Sequence, residues 1–261
     1  MVRCNNDGQM LKRVLLPFFN RLARSLGVLD LQERVARLEK HHLDRRVSDD
    51  LYMAIEDRFR GAPDEIRRRQ LTYLESVRSA VPQLPVLDLG CGRGEWLEIL
   101  REAGIPAIGV DGNHGFVASC RERGLDARLG DIVDFLRETP SQSLGAVTMF
   151  QVAEHLPLVV LESVLAECHR VLAPNGVLLV EIPNIETLRV GAATFWIDPT
   201  HERPVFPEFL VLLVERAGFG GIERRSGTPL EPTPSSSDPL ALSIHRRING
   251  DGDFAVLARR L

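Results

Sequence analysis

From Pro85 to Asn184 short apolar runs alternate with amphipathic ones, and that rhythm restricts the fold more than anything else in the chain. "PVLDLG" reads as a strand and "EWLEILREAG" as a helix stopped by Gly104. "AIGVD" is a strand and "GFVASCRERG" a helix stopped by Gly124. "ARLGD", "IVDFLRET", "LGAVTMFQ" and "PLVVLESVLAECHRVL" continue as strand, helix, strand and helix, and "NGVLLVEIP" follows as a buried strand. Strands alternating with helices pair in parallel through crossovers, so a doubly wound α/β sheet covered on both faces is expected. The rhythm then breaks. "FPEFLVLLVERAGF" is a helix, "GIERRSG" a strand, "TPLEPTPSSSDP" a loop, and "FAVLARRL" a terminal strand suited to antiparallel pairing at the sheet end. Ahead of the alternation, "YMAIEDRFRG" and "DEIRRRQLTYLESVRSAV" read as helices. With 261 residues and 44% hydrophobic content, the chain can bury one sizeable core and still carry an extension.

The first strand runs into "DLGCGRGEW", where Gly90, Gly92 and Gly94 fall at alternate positions between Asp88 and a helix. Glycines let a backbone turn tightly and approach a ligand, and ligands of open α/β sheets bind at the carboxyl ends of the strands. The spacing is not the dinucleotide fingerprint, because Glu95 stands where its third glycine would fall. Nor is it a phosphate loop, because no lysine and hydroxyl follow Gly94. Asp88 and Glu95 would repel a phosphate. An acid beside a tight glycine loop suits a positively charged, phosphate-free ligand, and S-adenosylmethionine has that character in its ammonium and sulfonium groups. Asp111, closing the second strand, can accept from both hydroxyls of a ribose. Asp131, closing the third, would with Ile132 meet the adenine amino group and face. Gln151, ending the fourth, would stand beside the reactive centre.

These residues resemble the class I S-adenosylmethionine-dependent methyltransferases, from about Ala62 to the end. "VLDLGCGRGEW" resembles their first motif, Asp111 the acid of the second, "GDI" the third, and "VLAPNGVLLVEIPN" the segment through strand five. The resemblance implies a Rossmann-like, seven-stranded sheet whose last strand is antiparallel. It implies a cofactor site that takes in Gly90, Gly92, Gly94 and Gly112 with the acids, and Arg60 of "DRFRG" on the cofactor carboxylate. More narrowly, "EDRFRG", "DLGCGRGEW" and "FWIDPTHERPVFPEFLVLLVERAGF" resemble bacterial O-antigen chain-terminating methyltransferases and related enzymes of surface-polysaccharide synthesis. That likeness implies a glycan or sugar-phosphate acceptor. No kinase domain follows, so a phosphate-making partner would be a separate protein.

Methyl transfer is an in-line displacement to which an enzyme contributes chiefly alignment. A hydroxyl acceptor also needs a base, whereas an anionic acceptor needs cations to place it. Glu154 and His155 in "FQVAEHLP" are candidate bases, the alternative for His155 being a helix cap or a packing role. "IDPTHERP" groups Asp198, His201, Glu202 and Arg203 after strand five. His201 is the first choice for the base or acceptor ligand and Arg203 for an acidic acceptor, the alternative being a surface loop whose prolines only set its path. Asn184 is a further candidate acceptor contact. No metal site is expected, because "DPTHE" has no established ligand spacing.

Residues 1–49 are expected to form a helical extension and residues 50–261 the methyltransferase domain. Leu11, Leu15, Phe18, Leu22, Leu26 and Leu29 make an apolar stripe with basic residues between them, and Leu31, Val35, Leu38 and His42 have the spacing of a short coiled coil. Arg3, Lys12, Arg13, Arg21 and Arg24 against Asp7 suit a membrane surface, a glycosyltransferase partner or a homodimer contact. The arginines and lysine also interrupt the apolar run, which rules out a spanning helix there. Net charge is -4, which gives no sign of nucleic-acid affinity. Four scattered cysteines suit reduced thiols in a cytoplasmic protein, peripheral at most to the inner face of the membrane. Two competing functions stay open: methylation of a small metabolite or quinone precursor, and a non-catalytic scaffold that kept the fold.

Overall fold

The computed structural model describes residues 47–81 and 83–261. The expected extension lies outside these residues except for its last three positions. Ser48–Leu261 form one compact unit. In chain order its elements are α1 (Asp49–Phe59), α2 (Pro63–Leu71), α3 (Leu74–Arg78), β1 (Val86–Leu89), α4 (Glu95–Glu102), β2 (Ala107–Asp111) and α5 (His114–Glu122). Then come β3 (Ala127–Leu129), α6 (Ile132–Glu138), β4 (Leu144–Phe150), α7 (Leu158–Val171), β5 (Leu172–Pro183) and α8 (Leu188–Ala192). The chain ends through α9 (Pro207–Arg216), β6 (Phe219–Ser226), α10 (Pro239–Asn249) and β7 (Asp253–Arg260). The strands form one seven-stranded sheet in the order β3-β2-β1-β4-β5-β7-β6. The first five run parallel, and β7 is antiparallel to both β5 and β6.

Period-two alternation with both faces covered explains the apolar strands. Leu87 and Leu89 of β1 face one cluster with α7 and α9, while Val86 faces the other with Trp96 and Tyr73. Trp96 sits edge-on to Phe150, with centroids 5.4 Å apart. Each such fully buried side chain contributes about 1.5–3 kcal/mol. Asp88 lies between Leu87 and Leu89 in that buried strand, so its carboxylate is carried at the sheet's interior, 2% exposed.

Four details depart from the sequence reading. The helix expected over Asp64–Val81 is divided into α2 and α3; the turn between them carries Tyr73 inward, where its hydroxyl donates to Glu181 Oε2 at 2.8 Å. Strand β3 ends at Leu129, so Asp131 does not close it; Asp131 instead caps α6, its Oδ1 accepting from the amides of Val133 and Asp134 at 2.8 and 3.1 Å. The terminal strand β7 is inserted between β5 and β6 rather than lying at the sheet end. Helix α10 begins at the last residue of the segment read as loop. Its signals were present: Asp238 caps it, Pro239 opens it, and Leu240, Ile244 and Ile248 recur every fourth residue.

Strand order turns back at β1, with β2 on one side and β4 on the other. A crevice opens at the carboxyl ends of the strands on either side of such a point.

Candidate active site

The loop after β1 turns in the left-handed region at Gly90, Gly92 and Gly94, with φ of 69°, 49° and 81°. A side chain at Gly90 would start 2.5 Å from Val152 Cγ2, so only glycine lets the loop pass under the chain that follows β4. At the end of β2, Asp111 holds the loop in place. Its Oδ2 accepts from the Gly92 amide and its Oδ1 from the Asn113 amide, both at 2.8 Å. Burial pushes the Asp111 carboxyl up, and these two amides pull it back down. Gly112 and Gly130, on either side of this acid, have open space where a Cβ would point. The cradle therefore offers room beside an oriented carboxylate, which is what an adenosine ligand needs. Asp131 keeps Oδ2 outside its capping bonds, and Ile132 opens α6 next to it.

Arg60 ends α1 and lies over this loop, its Nη1 3.3 Å from where a Gly92 Cβ would stand. The same Nη1 donates to Glu56 Oε2 at 2.8 Å, one helical turn back. Asp88 accepts from Thr148 Oγ1 at 2.7 Å, and burial nevertheless pushes its carboxyl up to about 7. The sign of its effect on stability follows. Between the ordinary carboxylate value and about 7 the native state holds a proton that the unfolded chain releases, so stability falls as pH rises through that window. Asp88→Asn keeps the acceptor for Thr148 and removes the titration. The Tm of the ligand-free variant is expected to gain on the wild type by about 5 °C between pH 5 and pH 8. A gap that stays constant over that range in thermal unfolding scans would refute the assignment.

A cavity of about 360 Å³ opens beyond the loop, between α1, α2 and the segment Thr194–His201. Gln151, at φ 58°, stands on its floor at the end of β4. Strain of this kind in a non-glycine residue is held by surrounding contacts. Here Gln151 Nε2 donates to Asp253 Oδ1 at 2.9 Å and Glu181 Oε1 at 3.4 Å. Arg69 pairs with Asp253 from α2. Burial, then the neighbouring Asp253, push Glu181 up to about 7. Sequence reasoning missed Glu181, Asp253 and Arg69. One signal was available, a lone glutamate inside the apolar run "VLLVEIP".

His155 and His201 meet at the same wall, with ring centroids 4.6 Å apart. The amide of Glu202 donates to the Glu154 carbonyl at 2.9 Å, which ties the loop after β5 to the turn after β4. The tautomers follow from the partners. Thr200 Oγ1 gives its single hydrogen to Asp198 Oδ1 at 2.6 Å, so it accepts from His155 Nδ1 at 2.9 Å. His201 Nδ1 lies 2.6 Å from the Phe195 carbonyl oxygen, which can only accept. Nδ1 is thus the engaged nitrogen of both rings, which leaves Nε2 as the outward one. Burial and the neighbouring His201 lower His155 to about 4, so its ring is neutral near pH 7. Glu154 lies behind them, fully buried, with neither carboxylate oxygen hydrogen-bonded, and burial pushes it up to about 8.

Arg203 is not brought into the cavity; its guanidinium stacks over the Phe209 ring at 5.0 Å. Asn184 is buried and also absent from the lining, its Oδ1 accepting from the Glu186 amide at 3.2 Å. Among the described residues no helix is long and apolar enough to cross a membrane.

Comparison with known proteins agrees with this geometry. Residues 87–180 match a family described as a methyltransferase domain. A probable S-adenosylmethionine-dependent methyltransferase of Mycolicibacterium smegmatis is 34% identical over 155 residues, 59% of this chain and 58% of that protein. A ubiquinone biosynthesis O-methyltransferase of Hahella chejuensis is 32% identical over 119 residues, 43% of this chain and 48% of that protein. The chain thus spans little more than half the length of the curated relatives it matches. The crystal structure of an S-adenosylmethionine-dependent methyltransferase from Archaeoglobus fulgidus superposes with a TM-score of 0.71 at 29% identity, over 80% of this chain and 99% of that one. The glycine loop, the acid at the end of β2 and the inserted antiparallel β7 thus go with a methyltransferase domain matched over residues 87–180, and the likeness in family and fold implies S-adenosylmethionine as the cofactor.

Proposed function

We propose that the chain methylates a hydroxyl group on an uncharged, sugar-containing acceptor, with Asp111, Asp88, Arg60 and the glycine loop holding the cofactor. One observation carries the reading. The imidazoles of His155 and His201 line a cavity shared with the carboxylates of Glu56, Glu65, Glu181, Asp198 and Asp253, against the guanidiniums of Arg60 and Arg69. Arg69 is paired with Asp253, and Arg60, paired with Glu56, is assigned to the cofactor, which leaves no further cation for the acceptor among the described residues that line the cavity. A phosphate or carboxylate acceptor would find no free cation there, whereas a polyhydroxylated one would find acceptors for its hydroxyls. With Arg203 stacked on Phe209, the sugar-phosphate version loses its designated cation.

S-adenosylmethionine, when bound, supplies a methyl group on a sulfonium. Asp111 would take the ribose hydroxyls on the oxygens that now accept from two amides, and Asp131 Oδ2 the adenine amino group. Gln151 is fixed by Asp253 and so can orient the acceptor at the reacting carbon. His201 Nε2 would take the hydroxyl proton as the acceptor oxygen bonds to the methyl carbon. The electron pair of the broken carbon–sulfur bond returns to sulfur. Residues 1–49 would bring the domain to a glycosyltransferase or to the membrane face on which glycolipids are built.

A second reading has an observation of its own. Ile55, Phe59, Ile66 and Phe195 also line the cavity, and such walls suit the ring of a quinone precursor, a class that the Hahella relative's name, a ubiquinone biosynthesis O-methyltransferase, brings to mind. Calorimetry with S-adenosylmethionine followed by labelled methyl transfer tests both readings. Wild-type protein is expected to bind the cofactor, and Asp111→Ala to weaken binding by about 1–3 kcal/mol, roughly 5- to 150-fold. Label is expected in the hydroxyls of extracted glycolipid. Label in a catechol would favour the quinone precursor, and no binding by folded wild-type protein would leave only a scaffold.

A further inference from the structure

We propose that Glu154, His155 and His201 together hold a divalent transition-metal ion of the zinc class at the wall of the acceptor cavity. The donor atoms of these three residues lie within 4.8 Å of one another. Tetrahedral ligands about 2.1 Å from a zinc ion sit roughly 3.4 Å apart, so a closure of about an ångström completes the set.

The stronger argument is the count of hydrogens. Glu154 presents two carboxylate oxygens without any hydrogen-bond partner, in a side chain that is wholly buried. The two imidazoles beside it have already committed their Nδ1 hydrogens outward, to Thr200 and to the Phe195 carbonyl. Wholly buried carboxylate oxygens without a partner thus lie beside two imidazoles whose Nδ1 atoms are engaged elsewhere, and leaving those oxygens without a donor or a cation is costly. A cation shared by the three residues satisfies them.

The outward bonds are also those that a metal site requires. Metal-ligating imidazoles characteristically donate their second N–H to a carbonyl or a carboxylate, which fixes the tautomer and aims the other nitrogen. His201 does so directly to Phe195, and His155 does so through the Thr200 hydroxyl to Asp198. Two imidazoles exclude magnesium and calcium, which take oxygen ligands, and a pair of histidines with a glutamate is a known zinc set that leaves a position open. That position faces the cavity, because both rings line it. The site could not be read from spacing: two ligands are adjacent in sequence and the third comes from another loop, brought across by the Glu202–Glu154 backbone bond.

The ion's role rests on the proposed hydroxyl methylation: with the ion bound, His201 Nε2 would serve as its ligand in place of acting as proton acceptor, and the cation would lower the pKa of the acceptor hydroxyl. Its binding does not. The test uses the tag-free full chain, stripped with a chelator and titrated with zinc alone, with cobalt as a spectroscopic probe. One equivalent of zinc and the visible absorption of a four- or five-coordinate cobalt site are expected. Glu154→Gln and His201→Ala should each lose at least about tenfold in zinc affinity while binding S-adenosylmethionine within about twofold of wild type. Stripped wild-type protein that binds the cofactor but takes up no zinc would overturn the inference and leave the methyltransferase reading intact. Stoichiometric zinc that both variants still bind as tightly would place the metal elsewhere and overturn it as well. A protein that binds zinc but no cofactor would instead sink the enzymatic reading.

Discussion

A His201→Ala protein is expected to bind S-adenosylmethionine as the wild type does, within about twofold, and to transfer the methyl group about 10²–10⁴ times more slowly, the usual worth of a positioned proton acceptor. The separation follows from geometry. The proposed cofactor cradle is the loop after β1 with the end of β2 and Arg60, whereas His201 sits on the far wall, on a loop reached only after β5. Its ring packs at 4.3 Å on Phe195 and 4.6 Å on His155, and its Nδ1 is held by the Phe195 carbonyl. Truncation thus leaves one carbonyl short of a donor, a local cost of about 1–3 kcal/mol that a domain of this size can bear. Single-turnover transfer from labelled cofactor, measured beside calorimetric affinity, reads the two effects apart. If affinity falls with the rate by the same factor, His201 supports the architecture rather than the chemistry. If neither moves, the cavity wall takes no part in the reaction.

Much of this site was legible in the sequence because its parts are local. A strand, a glycine turn and a helix lie within seventeen consecutive residues, and the acids Asp88 and Asp111 close or occupy short apolar runs that declare themselves as strands. Arg60 could be named only through resemblance, since an arginine at a helix end is ordinary by itself. What escaped was set by long-range pairing. Glu181 and Asp253 meet because β7 is inserted beside β5, with Pro183 opposite Asp253, and no local pattern fixes that register. Asp131 looked like the end of a strand because "ARLGD" runs on without a break, but its carboxylate met two free amides first and became a cap. Arg203 looked like a substrate cation beside His201, although an aromatic ring six residues on, Phe209, took its guanidinium in a stacking contact. In each case the residue type was informative and its partner was not.

Two glycines of the same cradle should respond in opposite ways, which separates folding from ligand binding. Gly90→Val is expected to cost about 3–5 kcal/mol and lower Tm by roughly 6–20 °C. Gly90 sits at φ 69°, where a β-branched residue is strained, and its Cβ would stand 2.5 Å from Val152 Cγ2. Val152 cannot retreat cheaply, because it joins Gln151, itself held at φ 58°, to the turn that carries Glu154 and His155. Relief of the clash must therefore disturb the glycine loop or that turn. Gly112 differs on both counts: its φ lies outside the left-handed region, and a Cβ there meets nothing within 4 Å. Gly112→Ala should leave Tm unchanged to within about 2 °C, the scale of a neutral surface change. If the open space beside Asp111 belongs to adenosine, the added methyl should still weaken S-adenosylmethionine binding, by about tenfold. Thermal unfolding and calorimetry of the two variants check both halves. A Gly112→Ala protein of unchanged stability and unchanged affinity would move the adenosine site away from the end of β2, and a Gly90→Val protein as stable as the wild type would mean that the loop after β1 is not held against the β4 turn.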